Sequence, residues 1–225
     1  MTRLAIDTST QLTSVAWETA SGIRSLSSTD GRASVRLATM VAQALSEIGG
    51  AAELECVVMG VGPGSFTALR MGISFAKGLC RAFDVPAIGV PSVDAATANV
   101  DDPGAVLIVL DARKGELHGG LYGARASVLE PYRVLKSREW LESLLPSANA
   151  SNALVTGDVA NLLELIPGLD PVRVRPWGWC GGAGALLAHA RQRELTAGPA
   201  GVIEPLYLRP SDAEVAGPRP LRVPT

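Results

Sequence analysis

The residues whose types and spacing most suggest chemistry are the glycines of Gly60-Val-Gly-Pro-Gly-Ser-Phe-Thr67, which follow a short apolar run and precede a helical one. A buried strand, a glycine turn and then a helix can aim free backbone N–H groups at an anion, so Gly62, Gly64 and Ser65 are candidate phosphate contacts. Two details weaken that pattern. The phosphate-loop spacing GxxxxGK[ST] is absent, and Pro63 carries no N–H for a cradle. A dinucleotide fold also wants an acid closing the next strand, whereas Asp84 lies before it. The alternative role for these glycines is conformational.

Asp7 and Asp111 each end an apolar run. Facing one cleft, two such carboxylates can hold Mg²⁺ and a nucleotide phosphate, with Thr8 and Ser9 adding hydroxyls and turn amides. The chain would then be a Mg-ATP-dependent kinase or ATPase, with ATP or ADP as its cofactor. The competing reading is an Asp that caps its own turn, with Arg113-Lys114 a solvated hairpin tip. Other chemistries find little support. His118 and His189 are the only histidines and form no HxxxH or HExxH pair, which disfavours a histidine metal site. The serine of Gly62-Pro-Gly-Ser65 falls one place late for a GxSxG nucleophile elbow. Cys56, Cys80 and Cys180 are odd in number and lack CxxC spacing, so neither a disulfide framework nor a thiolate zinc site is indicated.

Apolar periodicity gives the elements that must position these groups. Leu4–Ile6, Ser14–Trp17 and Ile23–Leu26 read as a three-strand meander separated by turn residues. The period then changes to three and four over 34–48, a helix closed by Gly49-Gly50, and Cys56–Met59 is a buried strand entering the glycine turn. A helix over 65–83 and a strand over 87–90 follow. The same order restarts with strands at 106–110, 117–122 and 128–135, a helix over 137–145, a strand at 154–156 and helices over 159–166 and 183–193. Two successive β-β-β-α-β-α units suggest a duplicated α/β lobe, with an N-terminal lobe at 1–102 and a C-terminal lobe at 103–209. The proline-containing tail, 210–225, is expected to be disordered.

The helix over 65–83 carries a second signal. Phe66, Leu69, Ile73, Leu79, Cys80 and Phe83 make a core-facing side, while Ala68, Gly72, Ala76 and Cys80 recur every four residues as a stripe of small side chains. Gly inside a helix costs up to about 1 kcal/mol relative to Ala, so Gly72 and Gly78 call for a close backbone approach. The approaching element can be a neighbour in the same lobe or a helix of another chain.

Composition narrows the partners. The 225 residues are 47% hydrophobic with a formal net charge of -2, which disfavours solo binding of nucleic acid because phosphates need a basic surface. The first residues, Met-Thr-Arg-Leu-Ala-Ile-Asp7, contain no signal-peptide core, and no apolar run approaches the ~20 residues of a membrane span. A soluble cytoplasmic protein is expected.

Five segments resemble, in order and spacing, the TsaB (YeaZ) family: Leu4-Ala-Ile-Asp-Thr-Ser-Thr10, Gly62-Pro-Gly-Ser-Phe-Thr-Ala-Leu-Arg70, Ala76-Lys-Gly-Leu79, Asp111-Ala-Arg-Lys-Gly-Glu116 and Glu204-Pro-Leu-Tyr-Leu-Arg209. The resemblance implies two tandem ribonuclease-H-like lobes of the actin, sugar-kinase and chaperone-ATPase superfamily. It also implies a non-catalytic subunit that pairs with the paralogous TsaD, and with TsaE, in threonylcarbamoylation of the adenosine next to the anticodon of tRNAs reading codons that begin with A. In the family, TsaD carries the metal-binding histidines. A homodimer in the absence of TsaD, and contact with tRNA only through the complex, are further implications, as is ATP or ADP with Mg at the complex interface. The family interface matches the helices over 34–48 and 65–83. That makes Ala68, Leu69, Arg70, Gly72, Ile73, Ala76, Val41 and Leu45 the expected partner contacts, and Gly72→Leu a variant expected to lose pairing while keeping its fold. Two positions depart from the family pattern: Ala68 replaces the usual Gly, and Ala33-Ser34 replaces a His-Ser pair.

Overall fold

The computed structural model describes residues 2–29, 33–98, 100, 104–113, 116–123, 128–136, 143, 146–148, 153–157 and 173–208. The first unit is β1 (Arg3–Asp7), β2 (Thr13–Thr19), β3 (Gly22–Ser28), α1 (Ala33–Glu47), β4 (Cys56–Gly60), α2 (Phe66–Phe83) and β5 (Ala87–Val90). Its strands form one sheet in the order β3-β2-β1-β4-β5. β1 pairs antiparallel with β2 and parallel with β4, and the helix-bearing connections supply the crossovers that parallel pairing requires.

The second unit repeats the plan with β6 (Val106–Arg113), β7 (Glu116–Tyr122), β8 (Val128–Lys136), β9 (Leu154–Gly157) and β10 (Val174–Pro176), ordered β10-β9-β6-β7-β8. In both sheets the leading strand lies between its antiparallel second strand and a parallel fourth. This is the two-lobed α/β duplication that the sequence implies. The helices expected over 137–145 and 159–166 fall largely outside the described residues, as does the tail 210–225. β10 has no sequence-level counterpart.

Period-two alternation divides the first sheet's side chains between two cores. Leu4, Ile6, Val15, Trp17, Val57 and Met59 face α1 and α2, where Leu37, Val41, Ala44, Ile73, Ala76 and Cys80 complete the cluster. Ala5, Ala16, Cys56, Val58, Ile88 and Val90 face the other way. That second face is covered from far along the chain, by Leu186, Leu187 and Ala190 of α4 (Ala183–Gln192).

A further short helix, α3 (Ser92–Ala98), follows β5 directly, and its Val93 and Ala96 pack against Val106, Ile108, Leu110, Tyr122 and Trp177 of the second unit. Each unit therefore lends a helix to the other's sheet, and α3 and α4 touch where they cross. A division of the chain at residue 102 separates the two sheets but not their covers. After α4, residues 198–208 run back over the first unit as a strap. Gly198 exchanges two backbone hydrogen bonds with Ala87 at 2.8 and 2.9 Å, Leu206 N–H donates to the Val61 carbonyl at 2.7 Å, and Ile203 packs against Gly89 and Val61.

The glycine turn and the outer face of helix α2

The glycine turn lies where β4 ends and α2 begins, beside the turn that follows β1. Gly62 has φ +97°, a left-handed conformation that L side chains rarely adopt, and the Gly62–Pro63 peptide is cis. The space a phosphate would need is filled by the chain itself. Ser65 N–H donates to the Ser9 carbonyl at 3.0 Å, and a Cβ on Gly64 would overlap that same carbonyl. Ser92 N–H donates to the Gly62 carbonyl at 2.8 Å. The phosphate-cradle expectation for Gly62, Gly64 and Ser65 is thus corrected: the glycines are required because the β1 turn approaches at backbone distance, and the Ser65 amide is already bonded.

Asp7, Thr8 and Ser9 are all buried. Asp7 Oδ1 accepts from the Ser9 amide at 2.9 Å and from the Ser92 hydroxyl at 3.2 Å, the turn-capping geometry open to an Asp at this place. Burial raises its pKa, opposed by hydrogen bonds from Ser9 and Ser92. Thr8 Oγ1 donates to the Ala68 carbonyl at 2.7 Å. Asp111 ends up on β6 opposite Leu117, in a part of that strand whose side chains lie outside the described residues. Among the described residues no group of three or more His, Cys, Asp or Glu side chains is arranged to hold a metal ion. Among the described residues the donor set at Asp7 is its own carboxyl with the neutral hydroxyls of Ser9 and Ser92 and the amide of Ser9.

The stripe of small residues faces inward. A Cβ on Gly72 would overlap Thr8 Oγ1, and Leu69, Ile73 and Ala76 are buried at 0%, 4% and 0% exposure in the cores of their own chain. Val41 is equally buried, and Leu45 is half-buried against the same cluster. As direct partner contacts Leu69, Gly72, Ile73, Ala76 and Val41 are therefore corrected to packing residues: the close approach that the stripe permits is that of β1 and its turn.

Arg70 is exposed and Ala68 half-buried. The outer face of α2 presents Thr67, Arg70, Ser74, Gly78 and Arg81, and nothing stands within 4 Å of a Cβ placed on Gly78. At one end of this face the Arg70 guanidinium lies 3.9 Å from the centre of the Phe66 ring, and its Nε donates to Tyr207 Oη at 2.7 Å. The Phe66 and Tyr207 rings are 4.8 Å apart. Tyr207 and its neighbour Leu206, with Val202, are among the large apolar side chains left exposed. Phe66, expected on the core-facing side of the helix, is half-buried beside Tyr207, and the sequence alone gave no individual role to Tyr207 or Ser92. The signal for Ser92 was the Pro91-Ser92 helix start, and for Tyr207 its place in the Glu204–Arg209 motif.

Comparison with known proteins places this geometry in context. A family model described as TsaD, tRNA N6-adenosine threonylcarbamoyltransferase, matches residues 29–163. The tRNA threonylcarbamoyladenosine biosynthesis protein TsaB of Bacillus subtilis (strain 168) is 34% identical over 96 residues, covering 41% of this chain and 42% of that protein. TsaB of Escherichia coli (strain K12) is 32% identical over 124 residues, covering 53% and 54%. Over such matches the chain spans no more than about half the length of these curated relatives. YeaZ from Pseudomonas aeruginosa superposes with a TM-score of 0.74 at 27% identity, over 92% of this chain and 99% of that one. No described helix is long and apolar enough to cross a membrane.

Proposed function

The chain belongs to the tRNA N6-adenosine threonylcarbamoyltransferase family, on its TsaB (YeaZ) branch, and on that premise we propose that it is a non-catalytic subunit of a tRNA-modifying complex. Its partner is the TsaD transferase, with TsaE as a further component. Together they attach threonylcarbamoyl to the adenosine beside the anticodon of tRNAs reading codons that begin with A. The transferase does the chemistry, and tRNA is met through the complex.

One observation carries this reading above the kinase alternative: the Ser9 carbonyl occupies the hollow of the glycine turn. A turn closed in this way serves to launch α2 from a fixed point, and the outer face of α2 is then free to meet another protein. Small side chains at Ser74 and Gly78 leave room for a close helix, and Arg70, steadied by Phe66 and Tyr207, supplies an oriented charge at the rim. In the absence of the transferase the same face pairs two copies of the chain. The work is done in the cytoplasm.

The test is co-elution of the chain with its transferase on a sizing column. Ser74→Trp and Gly78→Trp fill the outer face without touching the core, and the expected result is loss of co-elution with an unchanged melting temperature. Co-elution of both variants at wild-type levels overturns the assignment of this face.

A further inference from the structure

Asp7 is 1% exposed and is closely packed by the described residues around it. On one side is Gly60, where even a Cβ would come within 2.6 Å of Asp7 Oδ1 and 2.9 Å of Ser92 Oγ. On the others are the Ser9 amide and the Ser92 hydroxyl, both donating to Oδ1. Asp7 Oδ2 and Ser9 Oγ are buried without a well-formed hydrogen bond among the described residues. Among the described residues the influences on the carboxyl are burial and the hydroxyl and amide of Ser9 with the hydroxyl of Ser92. An ionised carboxylate offers about four acceptor sites and wants donors or a cation at each, whereas a carboxylic acid needs one acceptor for its own proton. The Ser9 side chain, which acts on the same carboxyl, carries lone pairs of the kind that proton needs.

The same place is a mechanical junction. Ser92, the first residue of α3, binds Asp7 through its hydroxyl and the Gly62 carbonyl through its amide. Beyond Ser92, α3 runs onto the second sheet through Val93 and Ala96. Asp7 thus joins the end of β1, the turn that launches α2 and the helix that reaches the other unit.

We propose that Asp7 is an un-ionised structural strut that locks this junction, closed to cations and phosphates, although a carboxylate at the end of a first strand is well placed to ligate them. The raised pKa agrees with this: burial favours the protonated form of a carboxyl. Because its folded pKa lies above the ordinary 3.8, the stabilisation from Asp7 is complete below that value and is lost as pH rises through the folded pKa.

The experiment uses the full chain alone and so does not depend on the docking proposal. The ¹³Cγ resonance of Asp7, assigned by its disappearance in Asp7→Asn, is followed against pH, and melting temperatures of both proteins are recorded over the same range. The expected result is a carboxylic-acid shift persisting at neutral pH, with Asp7→Asn melting at or above the wild-type temperature there and showing a flatter pH dependence. A carboxylate shift at neutral pH overturns the proposal. So does a rise in wild-type melting temperature on adding Mg-ATP that Asp7→Asn abolishes. If Asp7→Asn fails to fold, selective labelling of aspartate with assignment through the Ile6–Asp7 peptide link still reads the wild-type resonance and decides between the two states.

Discussion

Gly72 of α2 sits directly against Thr8 of the turn after β1: a Cβ on Gly72 would overlap Thr8 Oγ1, the same oxygen that donates to Ala68 one turn earlier on the helix. The small-residue stripe is in this way the seat of the first strand's turn, and enlarging it attacks the fold before it reaches any partner.

Gly72→Leu is accordingly expected to destabilise the isolated chain by about 1–3 kcal/mol or more, the usual range for overpacking a filled core. Gly78→Ala, on the open side of the same helix, is expected to be neutral or to stabilise by up to about 1 kcal/mol through helix propensity. Urea unfolding of the two variants beside the wild type checks the contrast; equal stabilities would place Gly72 on the surface after all.

The exchange of covering helices is expected to make the two sheets unfold as one cooperative structure. Leu186 is 0% exposed against the first sheet, so Leu186→Ala should cost about 2–5 kcal/mol although its position in the chain is far from that sheet. For the same reason residues 1–102 expressed alone should show poorly dispersed amide resonances, since the Ala5, Val58 and Val90 face would be bare. A well-dispersed, cooperatively melting fragment would contradict the interlocked arrangement.

His189 lies on α4 beside Asp94 of α3. Burial lowers its pKa from the ordinary 6.5; Asp94 opposes the shift and Arg193 adds to it. A base with a depressed folded pKa adds no pH dependence above about pH 6.5, where both states are neutral, and removes stability below it, because the unfolded chain takes up the proton first. Melting temperature should therefore fall as pH drops below ~6, and His189→Gln should soften that decline. An identical acid limb in the variant would assign the effect elsewhere.

Arg70→Glu reverses the charge that Phe66 and Tyr207 hold at the end of the α2 face. Loss of the contacts with Phe66 and Tyr207 should cost no more than about 1 kcal/mol of stability, as for other exposed pairs, while pairing with the transferase should weaken at least tenfold. Titration calorimetry of the variant against the transferase, with a parallel thermal melt, separates the two effects.

Much of this architecture is legible in the sequence, because strand alternation and helix period are local. The meander, α1, β4, α2 and the restart at Val106 all follow from spacing that neighbouring residues declare for themselves. α3 escaped because its seven residues, Ser92–Ala98, are mostly small and too few to establish a period. The destination of α4 is not local at all: Leu186 and Leu187 announce an apolar helix but not the sheet it will cover. The same limit governed the site. A stripe such as Ala68, Gly72 and Ala76 states that some backbone comes close, and a glycine turn states that something needs the space; only the fold shows that Thr8 and Ser9 are what comes.

The central claim, that this chain supports a transferase through the outer face of α2 and performs no chemistry of its own, is tested most directly by reconstitution. Purified transferase, TsaE-type partner, ATP, threonine-derived threonylcarbamoyl donor and unmodified tRNA are combined with wild-type chain, with Gly78→Trp, or with neither, and threonylcarbamoyladenosine is quantified by mass spectrometry of nucleosides. The account predicts modification with the wild type, little or none with Gly78→Trp or without the chain, and none from the chain alone. Equal modification in the presence and absence of the chain, or full activity with Gly78→Trp, would contradict it.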